Sequence, residues 1–250
     1  MSVLTTPFEG CDLHEAEWLS RQARRYFAWQ RELAAKEAGK RVVEVGCGNG
    51  DLTRQLLSRE KVVAVDRQPE RVARLLNLYG DARNLEALSI DVSTARFREL
   101  AAHQPDSVVC LHGLARAEDD LLALFNMSSV LPQGGKIVIS VPAFPALYGP
   151  VDFALGFLRR YTKDTLRESA AKVGLNVLRI DYSNFFGFFR WWLRSKLAPP
   201  EPTFDPDAGQ QERSQQPGTS DRLTAPLAAR IESLLAPPIG QDLFAVLQRP

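Results

Sequence analysis

Val42-Val43-Glu44-Val45-Gly46-Cys47-Gly48-Asn49-Gly50-Asp51-Leu52-Thr53 sets the reading of the whole chain. A β-branched run stops at alternating glycines and then turns amphipathic, which describes a strand, a tight loop and the start of a helix. Glycine at alternate positions permits backbone conformations closed to other residues and lets a ligand approach the main chain without meeting a Cβ. The loop also delivers the chain to a helix N-terminus, where unpaired N–H groups favour an electronegative ligand. A ligand-binding turn and a plain glycine-rich connection are the two readings, and the downstream sequence favours the first.

Outward from that stretch an α/β rhythm sets in. The first strand, Arg41 to Val45, is followed by a helix from about Asp51 to Arg59. A second strand, Val62-Val63-Ala64-Val65, ends on Asp66 and leads into a helix through Arg71, Leu75 and Leu78. A third surrounds Ala87-Leu88-Ser89-Ile90 and ends on Asp91, and a fourth, Ser107 to Leu111, precedes a helix over 118–130. The turn Leu131-Pro132-Gln133-Gly134-Gly135 opens a fifth strand, Lys136 to Val141. A helix from about Lys163 to Val173, a strand around Leu175 to Tyr182, a helix from Leu223 to Leu235 and a strand at Leu243 to Leu247 complete the pattern. Near-continuously apolar strands separated by helices predict an α/β, doubly wound, three-layer fold with a parallel sheet covered on both faces.

The expectation is a single domain: N-terminal helices over 1–40, a core over 41–183, an aromatic lid and mobile insertion over 184–222, and the last helix and strand over 223–250. The formal net charge of +1 gives no general drive toward nucleic acid, so none is expected as a partner. Cys11, Cys47 and Cys110 are too few and too scattered for a disulfide framework or a metal cluster, and a cytoplasmic location fits them. The N-terminus lacks a basic start followed by an apolar run, and no window approaches the roughly 18 apolar residues of a membrane span. Arg21, Arg24, Arg25 and Arg31 make the first helices locally basic, which reads as a solvated face.

Asp66 stands 20 residues after Gly46, at the carboxyl end of the second strand. Ligands of doubly wound sheets bind at the strand carboxyl ends, where an acid in that place accepts hydrogen bonds from both ribose hydroxyls. Its other reading is the N-cap of the helix that Arg67-Gln68-Pro69-Glu70 opens. A dinucleotide fingerprint reads G-x-G-x-x-G, but the third glycine's place here holds Asp51, which disfavours a dinucleotide.

These residues, with Ile90-Asp91 after the third strand and Leu131 to Gly135 before the fifth, resemble the class I S-adenosylmethionine-dependent methyltransferases. The resemblance implies a Rossmann-like, seven-stranded sheet, mostly parallel with the last strand antiparallel. It implies S-adenosyl-L-methionine as cofactor, with its methionine portion against Glu44, Gly46, Cys47 and Gly48 and its ribose at Asp66. The adenine is then bracketed by Arg67 and by Asp91-Val92, with Leu111 completing the cofactor set. Asp91 can instead cap the helix that starts near Ser93.

A narrower similarity covers Val141-Pro142-Ala143-Phe144-Pro145-Ala146-Leu147-Tyr148-Gly149-Pro150-Val151-Asp152 and Leu155-Gly156-Phe157-Leu158-Arg159-Arg160-Tyr161-Thr162. It resembles a bacterial methyltransferase subgroup reading V-P-A-[FY]-x-x-L-[YW]-[GS]-x-x-D…G-H-x-R-R-Y, and this stretch is the expected wall of the acceptor site. Two departures stand out. Where the subgroup carries Leu-Glu-His after the fourth strand, this chain has Leu114-Ala115-Arg116, and its Gly-His pair is Gly156-Phe157. The Glu and the two His positions, natural sources of a general base or of polar acceptor contacts, have therefore lost that chemistry.

His112, directly after the fourth strand, is the histidine placed to replace them, and Tyr148, Arg160 and Tyr161 join it as catalytic candidates. Arg159 and Arg160 either bind an anionic group of the acceptor or pair with Asp152 to hold the loop. The run Phe185 to Leu193 is rich in Phe and Trp and flanked by cations; it reads as a lid, a dimer contact or a peripheral membrane contact. The expected function is methyl transfer to O or N of a small-molecule or lipid-linked acceptor. The alternative is a catalytically inactive protein that binds S-adenosylmethionine or S-adenosylhomocysteine and serves a regulatory or partner-binding role.

Overall fold

In a computed structural model of the chain, the elements run in order α1 (Arg24–Glu37), β1 (Arg41–Val45), α2 (Asp51–Leu56), β2 (Lys61–Asp66), α3 (Pro69–Tyr79), β3 (Leu85–Ser89) and β4 (Ser107–Leu111). They continue through α4 (Asp120–Ser129), β5 (Lys136–Pro142), α5 (Lys163–Lys172), β6 (Asn176–Ser183) and β7 (Asp242–Gln248). The structure describes residues 24–149, 152–153, 155–184, 188 and 238–250. The expected helix before residue 24, the aromatic run around Phe188, the insertion over 198–222 and the helix over 223–235 lie outside the described residues.

The seven strands form one sheet in the order β3-β2-β1-β4-β5-β7-β6. β1 to β5 are mutually parallel, while β7 runs antiparallel to both of its neighbours, β5 and β6. The sheet is thus Rossmann-like and mostly parallel, with its last strand reversed.

Alternation along the strands sends side chains to two faces. Val43, Val63, Val108 and Ile137 pack on one side with Phe97, Leu124, Met127 and Leu166, which come from the segment after β3, from α4 and from α5. Val42, Val62, Val109, Val138 and Phe244 pack on the other, against Ala34 of α1 and Leu52 and Leu56 of α2. Burial on both faces explains why the strands read as continuous apolar runs.

Two expectations shift. The third strand lies earlier than expected, and the segment after Asp91 is a 3₁₀ stretch over Ala95–His103. The Asp91 carboxylate accepts from the Ser93 N–H at 2.8 Å in the turn ahead of this stretch, whose N-cap, Thr94, makes no side-chain capping bond.

Registers bring the functional strand ends together. Val45 lies opposite Val65 on β2 and opposite Cys110 on β4, so Gly46, Asp66 and Leu111 leave the sheet at one level.

Candidate cofactor and acceptor site

Gly46, Gly48 and Gly50 all adopt positive φ, at 79°, 53° and 79°, and the loop needs glycine at each for that reason. Their surroundings differ. A Cβ on Gly46 would meet nothing within 4 Å, and on Gly48 only the Gly46 carbonyl at 3.9 Å. A Cβ on Gly50 would lie 2.6 Å from Leu75 Cδ1, so this glycine serves the close approach of α3. The first two leave open space beside the main chain, which is the room that a cofactor's methionine portion needs. The residues present therefore fit S-adenosylmethionine.

The loop amides are spent internally. Gly46 and Cys47 donate to the Val65 carbonyl at 2.8 and 3.1 Å, and Gly48 donates to Asp66 Oδ2 at 3.1 Å. The electronegative ligand expected from the loop's N–H groups finds these three committed to β2. A phosphate cradle needs free amides, so this loop is built for a ligand that packs against it. Asp66 itself is buried at 4% exposure, and its Oδ1 accepts from the Gln68 N–H at 3.0 Å. Arg71 stands 3.7 Å from Oδ2. Asp66 thus fixes the loop and the entry to α3 from one position.

A cavity of about 150 Å³ opens beside the loop. Glu44, Gly46, Cys47, Leu111 and His112, all expected in the site, line it together with Gln30 of α1. Glu44 is buried and accepts from Thr53 Oγ1 at 2.6 Å; burial first, with Asp66 and Asp51 nearby, pushes its carboxyl up to about 8. Burial pushes the Cys47 thiol up to about 12, so it is a packing group rather than a nucleophile. Of the expected cofactor residues, Gly48, Asp66, Arg67, Asp91 and Val92 do not line this cavity. Arg67 is exposed, and Val92 is buried, with its carbonyl accepting from Asn126 at 2.8 Å. Asp91 continues from β3, which pairs with β2 at Asp66↔Ser89.

The sequence reading missed Phe27, Gln30 and Arg31, all from α1, which line this cavity. Arg31, assigned to a solvated face, lines it with its Nε buried and without a hydrogen-bond partner, while its Nη1 lies 3.7 Å from Asp51. Gln30 carried no sequence signal, because its neighbours in space come from β4, β5 and β7.

His112 has φ +60°, and its N–H donates to the Ser140 carbonyl at 2.8 Å. Its Nε2 faces Gln30 Oε1 at 3.1 Å, and its Nδ1 is buried with no hydrogen-bond partner. Burial, with Arg116 and Arg160 adding positive charge, pushes the imidazole down to about 3, so the ring is neutral at ordinary pH.

The remaining rim candidates hold the rim together. Arg160 donates to Asp152 Oδ1 and to the Ala143 carbonyl, both at 2.8 Å, in a pair with side chains 1% and 0% exposed. Of its two expected roles, the structure gives it the loop-holding one. Tyr161 donates to Asp120 Oδ2 at 2.8 Å, and Arg159 pairs with the same carboxylate at 2.6 Å. Burial and Asp120 push the Tyr161 phenol up, away from ionisation. Tyr148 donates to the Phe157 carbonyl at 2.8 Å. None of the three lines the cavity.

The two departures from the subgroup pattern meet in space. Arg116 lies 5.0 Å over the Phe157 ring, and its Nε donates to the Leu155 carbonyl at 3.0 Å. Phe157 in turn packs 5.8 Å from His112. A cation on an aromatic face thus occupies the two positions where the subgroup carries His, beside His112.

Residues 17–180 match the family described as Methyltransferase domain. The chain belongs to this family, within the class I S-adenosylmethionine-dependent methyltransferases. S-Adenosylmethionine is accordingly its cofactor. A ubiquinone biosynthesis O-methyltransferase of Xanthomonas campestris pv. campestris (strain B100) is 33% identical over 184 residues, covering 66% of this chain and 74% of that protein. The protein of the same name from Xanthomonas euvesicatoria pv. vesicatoria (strain 85-10) is 34% identical over 109 residues, 41% of this chain and 43% of its own length. Among solved structures, N-methyltransferase NodS from Bradyrhizobium japonicum WM9 in complex with S-adenosyl-L-homocysteine superposes with a TM-score of 0.52 at 15% identity, over 96% of this chain and 90% of that one. The YcgJ protein from Bacillus subtilis gives a TM-score of 0.54 at 12% identity, over 88% and 98%. These two likenesses concern the fold.

Proposed function

We propose that this methyltransferase acts on a hydroxyl oxygen of a small-molecule or lipid-linked acceptor. The observation that carries the reading is His112, a neutral imidazole on the cavity wall beside the glycine loop, with a buried and unpartnered Nδ1. The names of the relatives, O-methyltransferases in both cases, support oxygen over nitrogen. The buried, free thiols of Cys47 and Cys110 suit a reducing, cytoplasmic setting. Among the described residues no helix is long and apolar enough to cross a membrane.

S-Adenosylmethionine supplies an electrophilic methyl group on a sulfonium, open to in-line displacement. Glu44 and Gly46 form the wall for its amino-acid portion, and Arg31 offers a cation at the cavity for the carboxylate. Asp66, at the end of β2, is the acceptor for the ribose hydroxyls. His112 Nδ1 accepts the hydrogen bond of the acceptor hydroxyl and so aims an oxygen lone pair. A weakly basic nitrogen suffices. The hydroxyl proton becomes strongly acidic only as the C–O bond forms, and it passes to Nδ1 then. Positioning and the exclusion of water account for the rest of the acceleration.

The test is transfer of labelled methyl from S-adenosylmethionine to phenols, prenylated phenols and matched amines. Label on the hydroxyl compounds, lost in His112→Ala with cofactor affinity retained, is the expected result. Cofactor binding without transfer to any of them would instead favour the catalytically inactive, partner-binding reading, which the committed hydrogen bonds of Tyr148, Arg160 and Tyr161 support. In the same titrations Asp66→Ala should weaken cofactor binding at least tenfold, about 1.4 kcal/mol.

A further inference from the structure

Gln30 is 1% exposed, and its amide is placed among Ser140, Asp242 and His112. Its Nε2 lies 2.9 Å from Ser140 Oγ and 3.4 Å from Asp242 Oδ2, and its Oε1 faces His112 Nε2 at 3.1 Å. Amide orientation and imidazole tautomer follow from chemistry here. A carboxylate only accepts, so Asp242 requires the amide NH₂ on its side and turns Oε1 toward the ring. An amide oxygen only accepts, so His112 Nε2 must carry the proton. A neutral imidazole has one N–H, which leaves Nδ1 as the acceptor.

Nδ1 is the atom that the protein leaves unpaired. His112 Nδ1 is buried without a hydrogen-bond partner; such an atom is destabilising, and sites of this kind persist where a ligand completes them. Phe27, edge-on at 5.7 Å, and Phe157 at 5.8 Å hold the ring between them, so it is fixed by packing as well as by its hydrogen bond.

We infer that Gln30, oriented by Asp242, is a positioning residue that locks His112 in the Nε2–H tautomer and keeps Nδ1 available to the acceptor hydroxyl. The catalytic consequence rests on the hydroxyl-acceptor reading above; the lock itself does not. Its parts come from three places in the chain, α1, the end of β4 and the start of β7. Docking of α1 on the sheet and the chemistry of the ring are therefore set together.

The decisive measurement is imidazole ¹⁵N spectroscopy on the full chain with S-adenosylhomocysteine added, with the His112 signal identified by its disappearance in His112→Gln. In the wild type the proton is expected on Nε2. Gln30→Met and Asp242→Asn should both populate the Nδ1–H form, the second by freeing the amide to flip while keeping its shape. Both should lower kcat tenfold or more, and in Asp242→Asn, whose side chain does not line the cavity, cofactor affinity should stay within twofold. A wild-type ring protonated on Nδ1, or an Nε2–H ring unmoved in both variants, would overturn the lock. If Gln30→Met fails to fold, the wild-type tautomer and Asp242→Asn decide. A tautomer that follows the variants in a protein that methylates no hydroxyl supports the lock and sinks the functional reading instead.

Discussion

Gly46 and Gly50 share a φ of 79° and differ in what surrounds them, so the same substitution separates binding from packing. Alanine at either site carries about 1–2 kcal/mol of left-handed backbone strain. At Gly50 the new methyl also meets Leu75 and Tyr79, so Gly50→Ala should lose more stability than Gly46→Ala in urea melts. At Gly46 the methyl enters open space beside the cavity, so Gly46→Ala should lose cofactor affinity out of proportion to its stability. Equal affinity losses in the two variants would remove the distinction. Glu44 supplies a pH signature. Its carboxyl is pushed from 4.5 up to about 8, so between those values the native state holds a proton that the unfolded chain has released. Stability therefore falls as pH rises through that window, by on the order of 5 kcal/mol. His112, pushed from 6.5 down to about 3, acts oppositely: the unfolded chain binds its proton first, and stability falls as pH drops below 6.5. Thermal melts of the cofactor-free protein from pH 5 to 9 should show the alkaline loss, and Glu44→Gln should flatten it. An alkaline slope unchanged by that substitution would place its origin elsewhere.

Among the elements, the rim between β5 and α5 shows where sequence reading stops. The glycine loop was legible because its meaning is local: strand, positive-φ residues and helix follow one another within a dozen positions. The roles of the rim residues depend on partners that spacing does not reveal. Tyr161 meets Asp120 from 41 positions away, and Gln30 meets His112 from 82. Arg160 and Asp152 were readable as a pair or as acceptor contacts, and burial decides for the pair. An uncompensated buried charge is costly, so Arg160→Ala should lose about 3–5 kcal/mol by denaturant titration. Replacing both partners, as in Arg160→Met with Asp152→Leu, should recover most of that. The interaction is more than a surface bridge because Asp152 also accepts from the Gly149 N–H at 2.9 Å and Arg160 from its side holds the Ala143 carbonyl, tying the loop to the end of β5. A loss below about 1 kcal/mol for Arg160→Ala would mean that water reaches the pair.

For the molecule as a whole, the fold class was readable from apolar strands alternating with helices, whereas the place and direction of β7 were not. Leu243 to Leu247 is an uninterrupted apolar run, and such a run looks the same in a parallel or an antiparallel setting. Its reversal came from the family resemblance. In the sheet β7 lies between β5 and β6, which do not pair with each other, so the strand farthest along the chain joins β6 to the rest. It pairs along its whole length with β5, from Lys136↔Gln248 to Pro142↔Asp242, and buries Leu243, Phe244, Ala245 and Leu247. Three large apolar side chains at about 1.5–3 kcal/mol each, with two ladders of backbone hydrogen bonds at about 1 kcal/mol per bond, match or exceed the roughly 5–15 kcal/mol by which a domain is stable. Deleting residues 242–250 should therefore abolish cooperative folding, seen as loss of the thermal transition in circular dichroism. Without a folded sheet no cofactor binding should survive at any temperature. Phe244→Ala, which leaves both ladders intact, should cost only about 3–5 kcal/mol and keep a cooperative, cofactor-responsive melt. A truncated chain that still melts cooperatively would show that β1 to β5 stand as a unit without β7, and that the strand serves the site rather than the fold.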